Sequence, residues 1–479
     1  YVGIDNQGLS GLELQYNEYL TGTNGSIKYY SDAKGNKLQV AQSYVEPTNG
    51  MNLTLTIDLE LQEAMEREMS NVVAKYNPDH ALAIAMDQNT GEILAMSSRP
   101  DYDPNSYQTS SQEILNRNLP IWMTYEPGST MKITTLAASI NEKIVNLFDD
   151  TFDDSWSIHV DGATIHCWKA GGHGHQTYLQ VVENSCNPGF VNLGLKLGKE
   201  KLFEYINNFG FGKKTGIDLN GEENGILFNL DKVGNVELAT TAFGQGISVT
   251  PIQQVTAVSA AVNGGTLYKP YIVKSLSDAS TNTIVKNVEP TKVREVITKE
   301  TSDMVKYALE SVVANGTGRN AYIENYRVGG KTGTAQKVNN GSYMVRNYIV
   351  SFMGFMPADN PSIVLYVAVD NPKGVVQYGG TVSAPIAKAI FESYIDIKKL
   401  QPDTKGMPKV YRWNDVKYQI LPNVVGLKVE EAKLILKNYN LEYSGTGNTI
   451  IYESPSAGIY VADGSTVKLM LGSWHLLCQ

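Results

Sequence analysis

The stretch Tyr125-Glu126-Pro127-Gly128-Ser129-Thr130-Met131-Lys132-Ile133-Thr134-Thr135-Leu136-Ala137-Ala138-Ser139-Ile140 passes from breaker residues to helix in a few positions. Pro127 and Gly128 punctuate the chain. After them Ile133, Leu136, Ala137 and Ile140 recur at i, i+3, i+4 and i+7, the buried face of a helix that begins at Ser129. Ser129 and Lys132, three apart, share a side of its first turn. A serine hydroxyl is a poor nucleophile until a base takes its proton. A lysine held in a dry cleft near another cation has a lowered pKa and can be that base. The helix N-terminus supplies N–H groups and positive potential for a developing oxyanion.

Two further patterns extend this chemistry, and each pattern has a decoy. Ser-x-x-Lys also occurs at Ser31–Lys34, in a Gly/Asn-rich stretch with no helical period. Ser-x-Asn occurs at Ser185–Asn187 and Ser280–Asn282. The first ends in Pro188-Gly189 and interrupts a helical region, where side chains enter a cleft; the second reads as a polar turn. Lys-Thr-Gly occurs at Lys214–Gly216, after a Phe209-Gly210-Phe211-Gly212 turn, and at Lys331–Gly333. The latter, in Gly329-Gly330-Lys331-Thr332-Gly333-Thr334, reads as an extended edge whose glycines admit a substrate backbone. Its cation and hydroxyls suit a carboxylate. The chosen set is Ser129, Lys132, Ser185, Asn187 and Lys331 as catalytic residues, with Thr332, Gly333 and Thr334 binding substrate.

Working outward, Asn52–Ile57 alternates as a strand, and Asp58 is placed to cap a helix carrying Leu61, Met65 and Met69 inward. Ala81–Met86 and Glu92–Ser97 flank a turn at Asp87–Gly91, a hairpin signal. Tyr348–Met356 and Ser362–Asp370 form a second hairpin around Pro357–Pro361. A helical pattern covers 129–141 and another 176–197. Strands near both ends with helices between predict an α+β domain over 51–395 with one antiparallel sheet. Residues 1–50 read as a small extended segment closing a larger N-terminal domain. Residues 396–420, with Pro402 and Pro408, read as a linker, and 421–473 as a β-α-β-β unit near the lower size for independent folding.

The chain has 479 residues, 42% hydrophobic and 19% charged, which excludes a largely disordered chain. A net charge of −9 with no basic block argues against nucleic-acid binding. Three cysteines cannot build a disulfide framework, and no stretch approaches the ~20 apolar residues that span a bilayer. The chain opens on Tyr1 without a signal-peptide pattern, so it reads as a fragment of something longer.

Four of the six histidines lie between His159 and His175, joined by Cys167. Imidazole and thiolate are favoured zinc ligands. Cys167, His173 and His175 are the first three candidates, and Asp154 is the fourth, with Cys186 as its rival. The ion would be structural and would stiffen the loop beside Ser185–Asn187. The alternative is a glycine-rich loop with solvated histidines and a buried cysteine.

In this order the three motifs form the signature of the serine acyl-transferases that react with penicillin. The chain resembles a class B penicillin-binding protein, a D,D-transpeptidase of cell-wall synthesis, over nearly its whole length. Tyr125–Ser129, Gly244-Gln245-Gly246 through Thr250-Pro251, and Gly3-Ile4-Asp5 through Gly11-Leu12-Glu13 carry that likeness beyond the motifs. Residues 421–473 look like a PASTA module, which makes the chain similar to the sporulation-specific, stage V type. The resemblance implies the penicillin-binding, serine β-lactamase-like fold, an N-terminal pedestal remnant and no catalytic cofactor. It implies peptidoglycan stem peptides and β-lactams as ligands and a membrane glycosyltransferase partner. It also implies a place on the extracytoplasmic face of the membrane, anchored by a segment missing from this chain. In it Ser129 attacks the penultimate D-Ala carbonyl and Lys132 is the base. Ser185 with Lys331 protonates the leaving amine, and Asn187 orients Lys132 and the substrate amide. Thr332 and Thr334 grip the terminal carboxylate, and the Ser129 and Thr334 N–H groups form the oxyanion hole.

Two other readings share these motifs. One is a hydrolase, a D,D-carboxypeptidase or β-lactamase, although no Glu carries a clear signature for activating a deacylating water. The other is a β-lactam sensor or cell-wall scaffold that stops after one acylation. The PASTA-like unit reads as a spacer rather than a binding module, since one short module offers little concave surface.

Overall fold

The computed structural model describes residues 1–339, 341–411 and 418–472. Asp58 caps helix α1 (Leu59–Tyr76) by accepting from the Leu61 N–H at 3.1 Å, and Leu61, Met65 and Met69 are fully buried, as their spacing predicts. Burying such a side chain contributes roughly 1.5–3 kcal/mol. Strands β1 (His80–Met86) and β2 (Ile93–Arg99) form the first hairpin. Helices α2 (Lys132–Asn141), α3 (Asn187–Asn208) and α4 (Pro251–Val262) follow. The chain then returns through β3 (Gly329–Asn339), β4 (Ser342–Met356) and β5 (Ile363–Asp370) and closes on α5 (Gly379–Lys398).

The five strands form one antiparallel sheet in the order β3-β4-β5-β1-β2. The period of two sorts residues between its faces. Leu82, Ile84, Met86, Val364, Tyr366 and Ala368 join the core that holds α2, α3 and α4. Ala81, Ala83, Ala85, Leu365, Val367 and Val369 join the core under α1 and α5. β5 is buried on both faces along its length. β3 is an edge strand, so one side of its backbone is open to a peptide.

Two helical expectations differ in detail. The helix predicted from Ser129 opens as a 3₁₀ turn at Gly128–Thr130, and α2 proper starts at Lys132. The pattern over 176–197 is two helices, Tyr178–Glu183 and α3, broken at Asn184–Cys186. Residues 1–50 contain the short helices Gly11–Gln15 and Asn17–Leu20 as well as an exposed ribbon of Ser26–Ser31 with Lys37–Val45.

Compact units divide between Pro408 and Lys409. The ends of the stretch read as a linker are structured: α5 runs to Lys398 and a strand occupies Tyr418–Ile420. The second unit is richer in strands than β-α-β-β. Its helix is Val429–Ile435, and Thr466–Gly472 lies parallel to Asn440–Gly445 and antiparallel to Thr449–Ser454. Tyr418–Ile420 pairs separately with Tyr460–Ala462, two strands too short for an alternation signal. Leu421, Val424, Ala432, Leu436, Ile450, Val467 and Leu469 form its core. Among the described residues no helix is long and apolar enough to cross a membrane.

Candidate active site

Gly128 (φ +56°) begins the turn that presents Ser129; its N–H donates to Gly244 O at 2.9 Å, and a Cβ on it would press on Ala335 and the Thr334 carbonyl. Ser129 is half-buried, and Lys132 follows one turn later, 1% exposed. Ser185 sits in the helix break with φ +52°, a conformation costly for a residue with a side chain and typical of functional sites. That backbone turn aims both its carbonyl and its hydroxyl at one amine. Lys132 Nζ donates to Ser185 O at 2.8 Å, lies 3.1 Å from Ser185 Oγ and donates to Asn187 Oδ1 at 2.7 Å. Phe190 of α3 presents its ring 5.3 Å from the same amine. From β3, Lys331 Nζ reaches Ser185 Oγ at 2.8 Å and Thr332 O at 3.1 Å.

Thus two buried lysines share one hydroxyl. Burial lowers the Lys132 pKa to about 7, against an opposing pull from Cys186 and Cys167. Burial, and then the charge on Lys132, push Lys331 well below the usual lysine value. Two ammonium ions cannot share so dry a site at neutral pH, so a neutral amine is held beside the Ser129 turn.

Thr332, Gly333 and Thr334, the residues expected to bind substrate, lie on the β3 edge. Thr332 Oγ1 is 3.0 Å from Thr317 Oγ1, and the Gly379 N–H donates to Thr334 Oγ1 at 3.3 Å. That amide occupies a lone pair of Thr334 and leaves its O–H to donate elsewhere. Gly333 faces Ser351 and Thr130 with no room for a Cβ. All eight residues chosen from the motifs therefore belong to one neighbourhood: the Ser129 turn, the Ser185 break and the β3 edge.

A second cluster lies behind the break. Single ligand atoms of Asp154, Cys167, His173 and Cys186 all fall within 4.8 Å of one another. His173 Nδ1 is 2.8 Å from Asp154 Oδ2, Cys167 Sγ is 3.3 Å from His173 Nδ1, and Cys186 Sγ is 3.3 Å from Asp154 Oδ2. Burial pushes the Asp154 carboxyl up, but hydrogen bonds from Cys167, His173 and Cys186 outweigh it and hold it below the usual value. His175, expected as a ligand, is outside the cluster: it is exposed and lies 2.8 Å from Asp153 Oδ1. Strand alternation explains the exchange. Asp153 and Asp154 are neighbours on Thr151–Asp154 and point to opposite faces, so Asp154 meets His173 and Asp153 meets His175. Cys186, the rival candidate, fills the place.

The penicillin binding protein transpeptidase domain model matches residues 81–392, nearly two thirds of the chain. The chain belongs to this family. The Penicillin-binding Protein dimerisation domain matches residues 1–55, and a PASTA domain matches 419–473. Stage V sporulation protein D of Bacillus subtilis (strain 168) is 57% identical over 98% of this chain and 73% of its own length. Peptidoglycan D,D-transpeptidase FtsI of Escherichia coli (strain K12) is 30% identical over 84% of this chain and 66% of its own. Among solved structures, Penicillin binding protein 3 of Mycobacterium tuberculosis complexed with ampicillin superposes with a TM-score of 0.76 at 27% identity, covering 85% of this chain and 89% of that one. Penicillin Binding Protein 2X of Streptococcus thermophilus gives 0.73 at 25%, covering 98% and 70%.

In this penicillin-binding family member the second copies of the motifs lie in two structural turns and on an exposed strand. Glu222 closes Lys214-Thr215-Gly216 by accepting from the Thr215 and Gly216 N–H groups and the Thr215 hydroxyl. Asp278 does the same for Ser280 and Thr281. Ser31 ends a strand of the exposed N-terminal ribbon. Thr317, the partner of Thr332, went unnoticed in the sequence because it belongs to no motif and meets β3 only through the tertiary fold.

Proposed function

We infer that this chain is a peptidoglycan D,D-transpeptidase that cross-links stem peptides through a Ser129 acyl-enzyme and is acylated there by β-lactams. The observation that carries the residue roles is the convergence of Lys132 and Lys331 on the Ser185 hydroxyl beside the Ser129 turn. Neutral Lys132 takes the Ser129 proton as Oγ attacks the penultimate D-Ala carbonyl. The Ser129 and Thr334 N–H groups hold the oxyanion, and the Thr332 and Thr334 hydroxyls hold the terminal carboxylate. When the C–N bond breaks, Ser185 gives its proton to the departing D-Ala amine and recovers one from the lysine pair. The amine of a second stem peptide then attacks the ester, and Ser129 leaves with its proton restored. Turnover of a D-Ala-D-Ala donor with an amine acceptor tests this reading: a cross-linked product supports it, whereas hydrolysis alone or arrest after one acylation contradicts it.

The activity serves sporulation, by the likeness to Stage V sporulation protein D, and we place it in spore cortex synthesis. None of the three matched family models is a glycosyltransferase, which supports a membrane glycosyltransferase as the supplier of glycan strands. We place the enzyme on the extracytoplasmic face of the membrane, where stem peptides are cross-linked.

The base must be neutral to act, and Lys132 titrates at about 7. Acylation by a labelled penicillin is therefore expected to rise with pH and level off above about 7, falling about tenfold per unit below it. A rise that continues to the ordinary lysine range would contradict a lowered Lys132.

Two thiols, an imidazole and a carboxylate converging within 4.8 Å suit a closed tetrahedral zinc site. Asp154, Cys167, His173 and Cys186 would hold the ion, which would clamp the 154–173 excursion to the residue between Ser185 and Asn187 and take no part in the chemistry. Protein purified without added metal is expected to carry about one zinc per chain by elemental analysis. Cys186→Ser is expected to lose it, with a lower Tm. Metal-free protein of unchanged Tm and activity would remove the ion from the account of the site.

A further inference from the structure

Beneath the Ser129 turn the core carries polar groups the mechanism does not use. Tyr366 is fully buried in the middle of β5, Gln254 of α4 is 2% exposed, and Thr130, next to Ser129, is 3% exposed. Around them this face of the sheet packs apolar residues, among them Ile84, Met353 and Val364. The Thr130 hydroxyl bonds to Pro127 O at 2.8 Å and to Gln254 Oε1 at 2.5 Å. Gln254 Nε2 donates to Tyr366 Oη at 3.2 Å and approaches Tyr125 Oη at 3.5 Å, and the two tyrosine hydroxyls bond to each other. Tyr366 is also hydrogen-bonded by Ser351, whose Oγ lies directly under Gly333.

The chain of bonds therefore starts on the residue after the nucleophile and ends beneath the strand residue before Thr334. It joins three elements that have no covalent reason to keep register: the Ser129 turn, α4 and the sheet. Burying these groups costs roughly 1–3 kcal/mol for each one left without a partner, whereas apolar residues of the same shape would carry no such penalty. A fully connected network fixes distance as well as satisfying its members.

We propose that Gln254 and Tyr366 are positioning residues that set the gap between Ser129 and the Thr334 end of the β3 edge, and so keep the two oxyanion N–H groups at the spacing the acylation transition state needs. The inference rests on the acyl-enzyme reading above. It makes a specific kinetic statement. A gap that is slightly wrong spoils bond formation but not ground-state binding, because the carboxylate grip of Thr332 and Thr334 lies wholly on β3. Loss of the brace should lower the acylation rate constant and leave the half-saturating penicillin concentration where it was.

Stopped-flow acylation by a fluorescent penicillin tests this with Tyr366→Phe and Gln254→Leu. Tyr394→Phe is the control: its hydroxyl, 2.9 Å from Ser362 Oγ, is removed from the opposite face of the sheet. Thr130→Val against Thr130→Ser supplies a milder pair, since serine keeps the hydroxyl. The maximal acylation rate should fall about ten- to a hundredfold in Tyr366→Phe, Gln254→Leu and Thr130→Val, with half-saturation unchanged. Thr130→Ser should recover most of the rate, and Gln254→Leu with Tyr366→Phe should be no slower than the worse single variant. Tyr394→Phe should alter only Tm. Wild-type rates in the brace variants, a loss confined to half-saturation, or equal losses in Tyr394→Phe would overturn the proposal. Wild-type protein that forms no acyl-enzyme would instead remove the reading beneath it.

Discussion

Lys132→Met is expected to slow acylation of Ser129 by about 10²–10⁴-fold, the usual contribution of a positioned general base. Methionine is close to lysine in length and needs no solvation, so it fits the slot against Phe190. Two opposing terms act on stability. Removing a buried amine relieves its desolvation, while Asn187 Oδ1 and Ser185 O lose a donor at a cost of about 1–3 kcal/mol each. They partly cancel, so the variant should fold with a Tm within several degrees of wild type and bind penicillin noncovalently while reacting very slowly. Rapid acylation of a folded Lys132→Met protein would take the base role away from Lys132. Stopped-flow acylation together with a thermal melt separates these outcomes.

Ser185→Ala is the second large effect, and its signature depends on the substrate. The hydroxyl is the shared contact of both lysines and, in the proposed reaction, the proton donor to the leaving amine. Without it, an unstrained D-Ala-D-Ala amide loses its route to a protonated leaving group, and turnover should fall about 10²–10⁴-fold. A β-lactam brings ring strain to the same bond breaking, so its acylation should fall much less. Equal losses for the two substrates would assign Ser185 to packing around the lysines rather than to proton delivery. Comparing donor turnover with penicillin acylation in the same preparation gives the ratio directly.

Local chemistry made much of this molecule readable in its sequence. The cap at Asp58, the inward face of α1 and the two hairpins follow from period and turn residues alone. Pro127-Gly128 and an apolar stripe bracket Ser129 and Lys132 and single them out as candidates, whereas Ser31 has no such setting. Contacts made by single residues across the fold left no such trace. Thr317 meets Thr332, and Gln254 meets Thr130 and Tyr366, through packing of distant elements. Cys-x5-His-x-His looks like one ligand set in sequence, which puts His175 among the first three candidates and leaves Cys186 only as a rival to Asp154. The strand on which Asp153 and Asp154 alternate divides the two histidines between opposite faces. The extended edge read at Gly329–Thr334 is β3, but the order of the strands behind it, β4, β5, β1 and β2, is set by pairing across the fold and has no local signal.

Intact mass after treatment with a labelled penicillin tests the central claim most directly, comparing wild type with Ser129→Ala. A single adduct on wild type that vanishes from folded Ser129→Ala is the expected result. An adduct that survives the substitution, or a wild-type protein that takes up none, would contradict an acyl-enzyme built on Ser129.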